Sequence, residues 1–287
     1  MKENIRRVVI LGHSGFLGSC LYEYLSKNAN YTVKGFSSQD INLVSQEDCR
    51  KLEMIIDEET TMIMAASAMS KDKSVSALQR DEDAMLNLAA LVSRTKKIRH
   101  LIYISSIAVY GHLSANPVQE GDRHCPDDLY GISKSAWENN LNLVCSGANY
   151  SNRLIDLTIL RPGIICGRGD IRSPFFRFMK SIGANQDIEI YGDGSAKVYW
   201  VHKSDLCGII KSVIDESKTG DYNIVADGNG IDLISLAETM FEISDRRVVI
   251  NLKPSEKLPV NLNFDISKLK IDFPWEFKNL KEILKEY

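Results

Sequence analysis

The sequence has little net charge and no long apolar run. Its 287 residues include 35 Lys and Arg against 38 Asp and Glu, a formal net charge of −3, so no overall basic field indicates a nucleic acid or an acidic membrane surface as a partner. No apolar run approaches the roughly 20 residues of a membrane span, and the run after Arg7 is too short for the core of a signal peptide. These absences predict a cytoplasmic protein with neither a membrane nor a nucleic-acid partner.

The sequence also lacks the cysteine spacing of a metal site. No Cys-x-x-Cys occurs, and no His/Cys cluster has metal-ligand spacing. The six cysteines are scattered, at positions 20, 49, 125, 145, 166 and 207. We therefore expect reduced thiols and no bound metal.

What is present is an alternation of short apolar runs with helix-like segments. The runs read as buried strands because they are bounded by Gly, Ser or Asp and lack a clean period-two pattern. The segments between them carry apolar residues three and four positions apart, as one face of a helix does. This alternation predicts an α/β fold with a doubly wound parallel sheet. The predicted strands are Val8–Leu11, Thr32–Phe36, Thr61–Ala66, Arg99–Ser105 and Leu157–Leu160, and the predicted helices are Gly18–Lys27, Gln46–Ile56, Asp81–Thr95 and Leu129–Cys145.

The second half of the chain is less regular. A basic, aromatic helix is predicted over Ser173–Asn185, and the runs Val198–Val201 and Tyr222–Val225 are candidates for return to the sheet. No repeat or linker divides the chain. A small discontinuous second lobe therefore fits better than two independent domains.

A glycine loop follows the first predicted strand. Gly12, Gly15 and Gly18 are spaced three apart and lead into a predicted helix. Glycines at such places let the chain turn tightly, let backbone N–H groups approach a pyrophosphate, and let the helix pack close to the strand. The alternative is a tight turn without a ligand, but the position between strand and helix favours dinucleotide binding.

The end of the second strand bears on the choice of dinucleotide. NAD-preferring sites usually end this strand with an acid that binds the ribose 2′-hydroxyl, whereas here Ser37 and Ser38 precede the first acid, Asp40. Two serines can bond a 2′-phosphate, although no arginine is there to neutralise it. The sequence favours NADP weakly over NAD, with Asn42 and Leu43 where an adenine pocket would form.

A candidate catalytic pair lies at the start of a predicted helix. Tyr130 and Lys134 are four residues apart and share one face of it, and a cation beside a phenol lowers the pKa of that phenol. A second Tyr-x-x-x-Lys match, Tyr199 with Lys203, lies in a strand-like run, where such residues are about 13 Å apart. Ser106 follows a strand end, where ligands of open α/β sheets bind, so we favour Tyr130.

Several motifs in order make this chain resemble the extended short-chain dehydrogenase/reductase superfamily, which contains nucleotide-sugar epimerases, dehydratases and 4-ketoreductases. The resemblance covers nearly the whole length. The motifs are Gly12-x-x-Gly15-x-x-Gly18, Ala65-Ala66, Ile102–Gly111, Tyr130-x-x-Ser133-Lys134, Leu160–Gly167, Gly192–Ser195, Val201-His202-x-x-Asp205-Leu206 and Tyr222-Asn223-Ile224.

The resemblance implies roles for particular residues. Ser106 would hydrogen-bond the reacting hydroxyl or ketone, Tyr130 would transfer the proton, and Lys134 would hold the nicotinamide ribose. The remaining implied cofactor contacts are Phe16 and Leu17 at the pyrophosphate, Ala65 and Ala66 at the strand end, and Pro162 and Gly163 beside the nicotinamide. It also implies a homodimer, a Rossmann domain at 1–167 plus 197–228, and a substrate lobe at 168–196 plus 229–287.

The departures from the family pattern concern the substrate. Ile107-Ala108 stands where dehydratases of the family carry Asp-Glu, which argues against a dehydratase. Ile164 and Val198 replace an asparagine and an arginine that often bind a substrate diphosphate. Other cations would then be needed to bind the diphosphate. The alternative for each candidate cation is that it is a solvated surface charge. The substrate-site candidates are Ser67, Ile107, Ile164, Arg168, Arg172 and Lys197, with Arg177 as a further cation.

Four functions follow from these residues. The first is an NAD(P)H-dependent 4-ketoreductase of a nucleotide-activated deoxysugar, and the second is a nucleotide-sugar 4-epimerase, which would use the same catalytic residues. A reductase of a carbonyl substrate without a diphosphate is the third. The fourth is a regulator that binds NAD(P) without catalysis, against which the complete set of Ser106, Tyr130 and Lys134 argues.

Overall fold

A computed structural model describes residues 5–67, 74–112, 116–147, 154–256, 259 and 261–287. The chain forms two compact units. The first comprises Met1–Val109, Pro126–Arg161 and Cys207–Tyr222, and the second comprises Tyr110–Cys125, Pro162–Leu206 and Asn223–Tyr287. The domain limits expected from the sequence stay a prediction.

A six-stranded sheet organises the fold. The strands are β1 Arg6–Leu11, β2 Tyr31–Phe36, β3 Thr60–Met64, β4 Ile98–Ile104, β5 Asp156–Pro162 and β10 Gly220–Ile224, in the order β10-β5-β4-β3-β1-β2. β1 pairs in parallel with β2 on one side and β3 on the other, and β3–β4 and β4–β5 are also parallel. The predicted doubly wound α/β fold is confirmed. Because the strand order reverses at β1, a crevice opens between the carboxyl ends of β1 and β3.

Helices connect these strands. They are α1 Phe16–Ser26, α2 Gln46–Ile55, α3 Val75–Arg94, α4 Leu129–Cys145 and α6 Lys203–Glu216. Helix α4 has the predicted bounds, and Asp128 caps it by accepting a hydrogen bond from the Gly131 N–H (2.7 Å). The predicted start of α3 at Asp81 is wrong, because Ser74 caps the helix earlier by accepting from the Ala77 N–H (3.2 Å). Asp81 therefore lies inside α3 rather than at its end.

The second unit contains small sheets and short helices around its own core. Its elements are β6 Ile164–Cys166, α5 Pro174–Gly183, β7 Ile188–Tyr191, β8 Lys197–Val198, β9 Trp200–His202, β11 Ile231–Asp232, α7 Leu233–Ser244, β12 Ile250–Lys253, α8 Ser267–Asp272 and α9 Leu280–Leu284. β6 pairs with β9, β7 with β12 and β8 with β11. The predicted return of 198–201 to the large sheet is wrong, because this run splits into β8 and β9, which pair locally. In the described ranges, no helix has the length and apolar character needed to span a bilayer.

Candidate active site

In the glycine loop at the end of β1, the backbone packs closely against the backbone of neighbouring segments. Gly12 has a φ of +89°, and a Cβ there would lie 2.7 Å from the Ala66 nitrogen. A Cβ on Gly18 would lie 2.1 Å from the Gly12 carbonyl oxygen. Helix α1 begins directly after Gly15 without a side-chain cap. The loop therefore brings the start of a helix against β1 and β3, as a pyrophosphate site requires.

A cavity of about 480 Å³ opens beside this loop. Nine of the predicted site residues line it, namely Gly12, Gly15, Ser37, Ser38, Asn42, Leu43, Ala65, Ala66 and Ser67. Phe16, Leu17 and Gly18 do not line the cavity and form the first turn of α1. The lining also includes Ser14, Ile41, Arg80, Asp81 and Ala84, which the sequence did not assign to a cofactor site. The two α3 residues Arg80 and Asp81 add charged groups of both signs.

An acidic side chain folds back onto the end of β2. The carboxylate of Asp40 accepts hydrogen bonds from the Ser37 hydroxyl (2.6 Å) and the Ser37 N–H (2.8 Å). These bonds hold the pKa of Asp40 below its usual value. The strand end that carries no acid in the sequence therefore has an anionic neighbour in the structure.

Ser106, Tyr130 and Lys134 come together in the first unit. Ser106 follows β4, and its side chain hydrogen-bonds that of Tyr130. The Lys134 ammonium donates to the carbonyl of Ile104 at the end of β4 (2.9 Å) and lies 5.8 Å from the centre of the Tyr130 ring. The competing match is structural, because the buried Tyr199 hydroxyl donates to the Leu262 carbonyl.

The protonation of these groups follows from their burial. Desolvation raises the pKa of Tyr130 above 10.0, and the hydrogen bond with Ser106 lowers it in part. The net upward shift is opposite to the direction that the lysine alone predicts. Desolvation also lowers the pKa of Lys134 to about 8. At neutral pH the site therefore holds a neutral phenol, which can donate a proton, beside a lysine that is mostly protonated.

Two buried carboxylates that sequence reasoning missed support α4. Asp81 accepts hydrogen bonds from Ser133 and from the Trp137 indole nitrogen. Glu138, which is 1% exposed, accepts three bonds from Arg161 and one from Ser105. The available signal was a carboxylate at helical spacing on an otherwise apolar face, such as Asp81 among Ala77, Ala84, Met85 and Leu88.

The first-unit candidate Ile107 lies in a 3-10 turn directly after Ser106. In the second unit, Ile164 lies in β6, and Pro162 is buried at the end of β5. A Cβ on Gly163 would lie 2.5 Å from the Tyr199 carbonyl oxygen. Close backbone packing therefore leaves no room for a side chain at Gly163.

The three predicted cations of the second unit have separate surroundings. The Arg168 N–H donates to Glu286 (3.1 Å), the Arg172 N–H donates to Asp170 (2.9 Å), and both side chains are exposed. The Lys197 ammonium donates to the side-chain carbonyl of Asn263 (3.1 Å). Two of the three therefore present exposed guanidinium groups from one loop.

Residues 8–225 match the NAD dependent epimerase/dehydratase family. The chain is 25% identical over 278 residues to the UDP-glucose 4-epimerase of Vibrio cholerae, which covers 89% of this chain and 79% of that protein. The structure is similar to that of RMD from Pseudomonas aeruginosa complexed with NADPH, with a TM-score of 0.82, 19% identity and coverage of 98% and 97% of the two chains. UDP-glucose 4-epimerase from Thermotoga maritima, solved with UDP-glucose, has a TM-score of 0.83 at 20% identity, with coverage of 97% and 96%.

The structural likenesses show a shared fold, and the family match extends from β1 through the whole of β10. The chain therefore belongs to the NAD dependent epimerase/dehydratase family and is an enzyme of the extended short-chain dehydrogenase/reductase type.

Proposed function

We propose that the protein is an NAD(P)H-dependent 4-ketoreductase of a nucleotide-activated deoxysugar. The observation that carries this proposal is the group formed by Ser106, Tyr130 and Lys134, in which a neutral phenol is hydrogen-bonded to a serine hydroxyl beside a buried lysine. The apolar pair Ile107-Ala108 follows directly and offers no acid or base for a dehydration at neighbouring carbons. Proton transfer at one oxygen is the chemistry that this group supports best.

The residues around the 480 Å³ cavity fit a nicotinamide dinucleotide. The tight backbone contact of Gly12 with Ala66 leaves room for a pyrophosphate at the start of α1, where the N–H groups of Phe16 and Leu17 would bind it. Ser37 and Ser38 would bind the adenosine ribose, and Asn42 and Leu43 would border the adenine. When bound, the reduced nicotinamide supplies a hydride to the carbonyl carbon of the substrate.

The protein's own residues would handle the oxygen of that carbonyl. Ser106 would donate a hydrogen bond to it, and Tyr130 would transfer its phenolic proton to the oxygen as the new C–H bond forms. The positive charge of Lys134 would stabilise the phenolate that remains. The product is an alcohol, and the phenolate regains its proton from solvent.

For the cofactor we propose a modest preference for NADPH. Ser37 and Ser38 line the cavity, and the Ser38 hydroxyl can donate to a 2′-phosphate. The anionic Asp40 acts in the opposite direction, because it already accepts from Ser37 and repels a second negative charge. For the substrate diphosphate we propose the cations of the second unit, Arg168, Arg172 and Lys197.

The second candidate is a nucleotide-sugar 4-epimerase. It is favoured by the 25% identity with the epimerase of Vibrio cholerae over most of this chain. An epimerase would retain its cofactor and return the hydride to the other face of the same carbon, using the same three residues.

One assay separates the two reactions. The purified protein is mixed with UDP-, GDP- and dTDP-linked 4-keto deoxysugars and either NADPH or NADH, and the absorbance of the reduced nicotinamide is followed. We expect stoichiometric consumption with one of the nucleotides, and faster consumption with NADPH. Tightly copurifying NAD with interconversion of 4-epimers and no net consumption would identify the epimerase. Neither reaction, with no binding of UDP, GDP or dTDP by calorimetry, would exclude a nucleotide-sugar substrate.

We also propose a homodimer formed through α3 and α4. Their outer faces expose apolar side chains, among them Leu86 (57%), Ile132 (43%) and Leu143 (54%), and exposed apolar patches mark interaction surfaces. Sedimentation equilibrium is expected to give twice the chain mass of 32.3 kDa. The variant Leu86→Glu is expected to give the mass of one chain. If the wild-type protein itself gives the mass of one chain, the dimer is disproved.

A further inference from the structure

Asp81 is a buried carboxylate between α3 and α4. Its side chain accepts hydrogen bonds from Ser133, from the Trp137 indole nitrogen (2.9 Å) and from Ser67 (3.3 Å). It is 2% exposed, and it also lines the 480 Å³ cavity. One side chain thus connects the cavity assigned to the dinucleotide with the helix that carries Tyr130 and Lys134.

Ser133, which donates to Asp81, directly precedes Lys134 in α4, and Lys134 is 5% exposed. Both Asp81 and Glu138 act electrostatically on the Lys134 ammonium. The charge of Glu138 is matched by Arg161, whose guanidinium lies 2.6 Å from the carboxylate and 2.7 Å from that of Asp221. Of the two carboxylates, Asp81 has the larger effect on the ammonium. Among the described residues, Tyr103 lies beside Lys134, and Asp128 acts electrostatically on Tyr130. Arg80 is next to Asp81 in the chain and lines the same cavity.

We propose that Asp81 is a positioning residue for the reaction, which keeps Lys134 in its protonated form and holds α4 in place through Ser133 and Trp137. The role of Asp81 in the reaction rests on the proposed function. Its electrostatic effect on Lys134 is a property of the protein without substrate or cofactor. Asp81 would not touch the reacting atoms. It would act through the lysine and the helix.

The sign of the effect follows from the surroundings of the two titrating groups. Desolvation lowers the pKa of Lys134 to about 8, and the negative charge of Asp81 opposes that shift. The same charge also raises the pKa of Tyr130. Removing it would therefore make both groups lose their protons at lower pH. Whichever group limits the reduction, the loss of activity at alkaline pH should move in one direction.

The variant Asp81→Asn isolates the charge from the hydrogen bonds. The Asn carbonyl oxygen can accept from Ser133 and Trp137, and its NH₂ group can donate to the Ser67 hydroxyl, so the three contacts are retained. The matched control is Asp83→Asn, which removes the same charge from an exposed position on the same helix. Asp81→Ala removes both the charge and the bonds, and it is expected to lower the unfolding temperature more than Asp81→Asn does.

The first measurement needs no substrate. Lysine side chains are labelled with ¹³C, the Lys134 signal is assigned with Lys134→Arg, and its titration is followed by NMR. We expect the midpoint to fall by about one pH unit or more in Asp81→Asn and to stay unchanged in Asp83→Asn. An unchanged midpoint in folded Asp81→Asn would overturn the proposal. If Asp81→Asn does not fold, Asp81→Ser is the second neutral variant for the same titration.

The second measurement is the pH profile of kcat with the 4-keto substrate and NADPH. The alkaline limb is expected to move to lower pH in Asp81→Asn by the same amount as the Lys134 midpoint, while that of Asp83→Asn stays in place. A shifted midpoint with an unmoved limb would overturn the role in the reaction. If the wild type turns over no nucleotide sugar, the proposed function fails, and the NMR titration still decides whether Asp81 holds the proton on Lys134.

Discussion

Replacing Tyr130 by phenylalanine is expected to reduce kcat by about a hundred- to ten-thousandfold. The phenol is the proton donor in the proposed reaction, and it is the group that Ser106 hydrogen-bonds in the structure. Phenylalanine keeps the ring, so the contact with the Lys134 ammonium, 5.8 Å from the ring centre, is retained. The loss should therefore appear in kcat and leave dinucleotide binding nearly unchanged.

Stopped-flow single-turnover kinetics and a fluorescence titration with NADPH measure the two quantities separately. The matched control is Tyr24→Phe, which removes a phenolic hydroxyl from a side chain that is 38% exposed on α1. That control should turn over at the wild-type rate. Normal turnover by Tyr130→Phe would show that another group donates the proton.

Replacing Gly18 by alanine is expected to weaken dinucleotide binding by about a hundredfold or more, the scale of loss that a misplacement of about 1 Å causes in catalysis. Helix propensity alone predicts the opposite, because alanine in a helix is favoured over glycine by about 1 kcal/mol. Space decides the outcome here. The added Cβ would lie 2.1 Å from the Gly12 carbonyl oxygen and 2.9 Å from the His13 Cα, which are backbone atoms that can move only with the loop.

The comparison for this variant is Gly183→Ala at the end of α5, where an added Cβ meets nothing within 4 Å. Isothermal titration with NADPH and thermal unfolding should show Gly183→Ala at or slightly above wild type. Gly18→Ala should lose affinity and unfold at a lower temperature. Wild-type affinity in Gly18→Ala would mean that the loop does not form the pyrophosphate site.

In the first half of the chain, the predicted helices and strands agree with the structure where the local sequence pattern alone determines their bounds. Helix α4 begins and ends at the predicted residues because Asp128 caps an uninterrupted helical pattern. The beginning of α3 was predicted six residues late, since its first turns contain polar residues that only the Ser74 cap organises. The run 198–201 reads as one strand and forms parts of two, because pairing partners distant in sequence divide it.

In the candidate site, too, some residues follow from the local sequence and others depend on contacts between distant segments. The glycine loop, Tyr130 and Lys134 could be named from spacing, because close backbone approach and helical periodicity restrict which residues occupy those places. The role of Ser106 was implied by the family resemblance. Asp81 and Arg80 could not be assigned to the cavity in the same way, since their place depends on how α3 packs against α4. The hydrogen bond from the Ser37 N–H to Asp40 depends on a loop conformation. The local sequence of two serines and an aspartate does not by itself determine that conformation.

The amino-acid sequence by itself determined the fold class and pointed to the glycine loop and to the candidate proton-transfer pair, Tyr130 and Lys134, because these depend on local periodicity and on short spacings. Only the tertiary structure decided how these groups are charged. Burial raises the pKa of Tyr130, whereas the adjacent lysine alone predicts a lower pKa. The packing of α3 against α4 places the carboxylate of Asp81 at the helix of Lys134, which is 53 positions away in the chain. Desolvation and long-range charge pairs depend on which surfaces meet, and the spacing of residues along a chain does not contain that information.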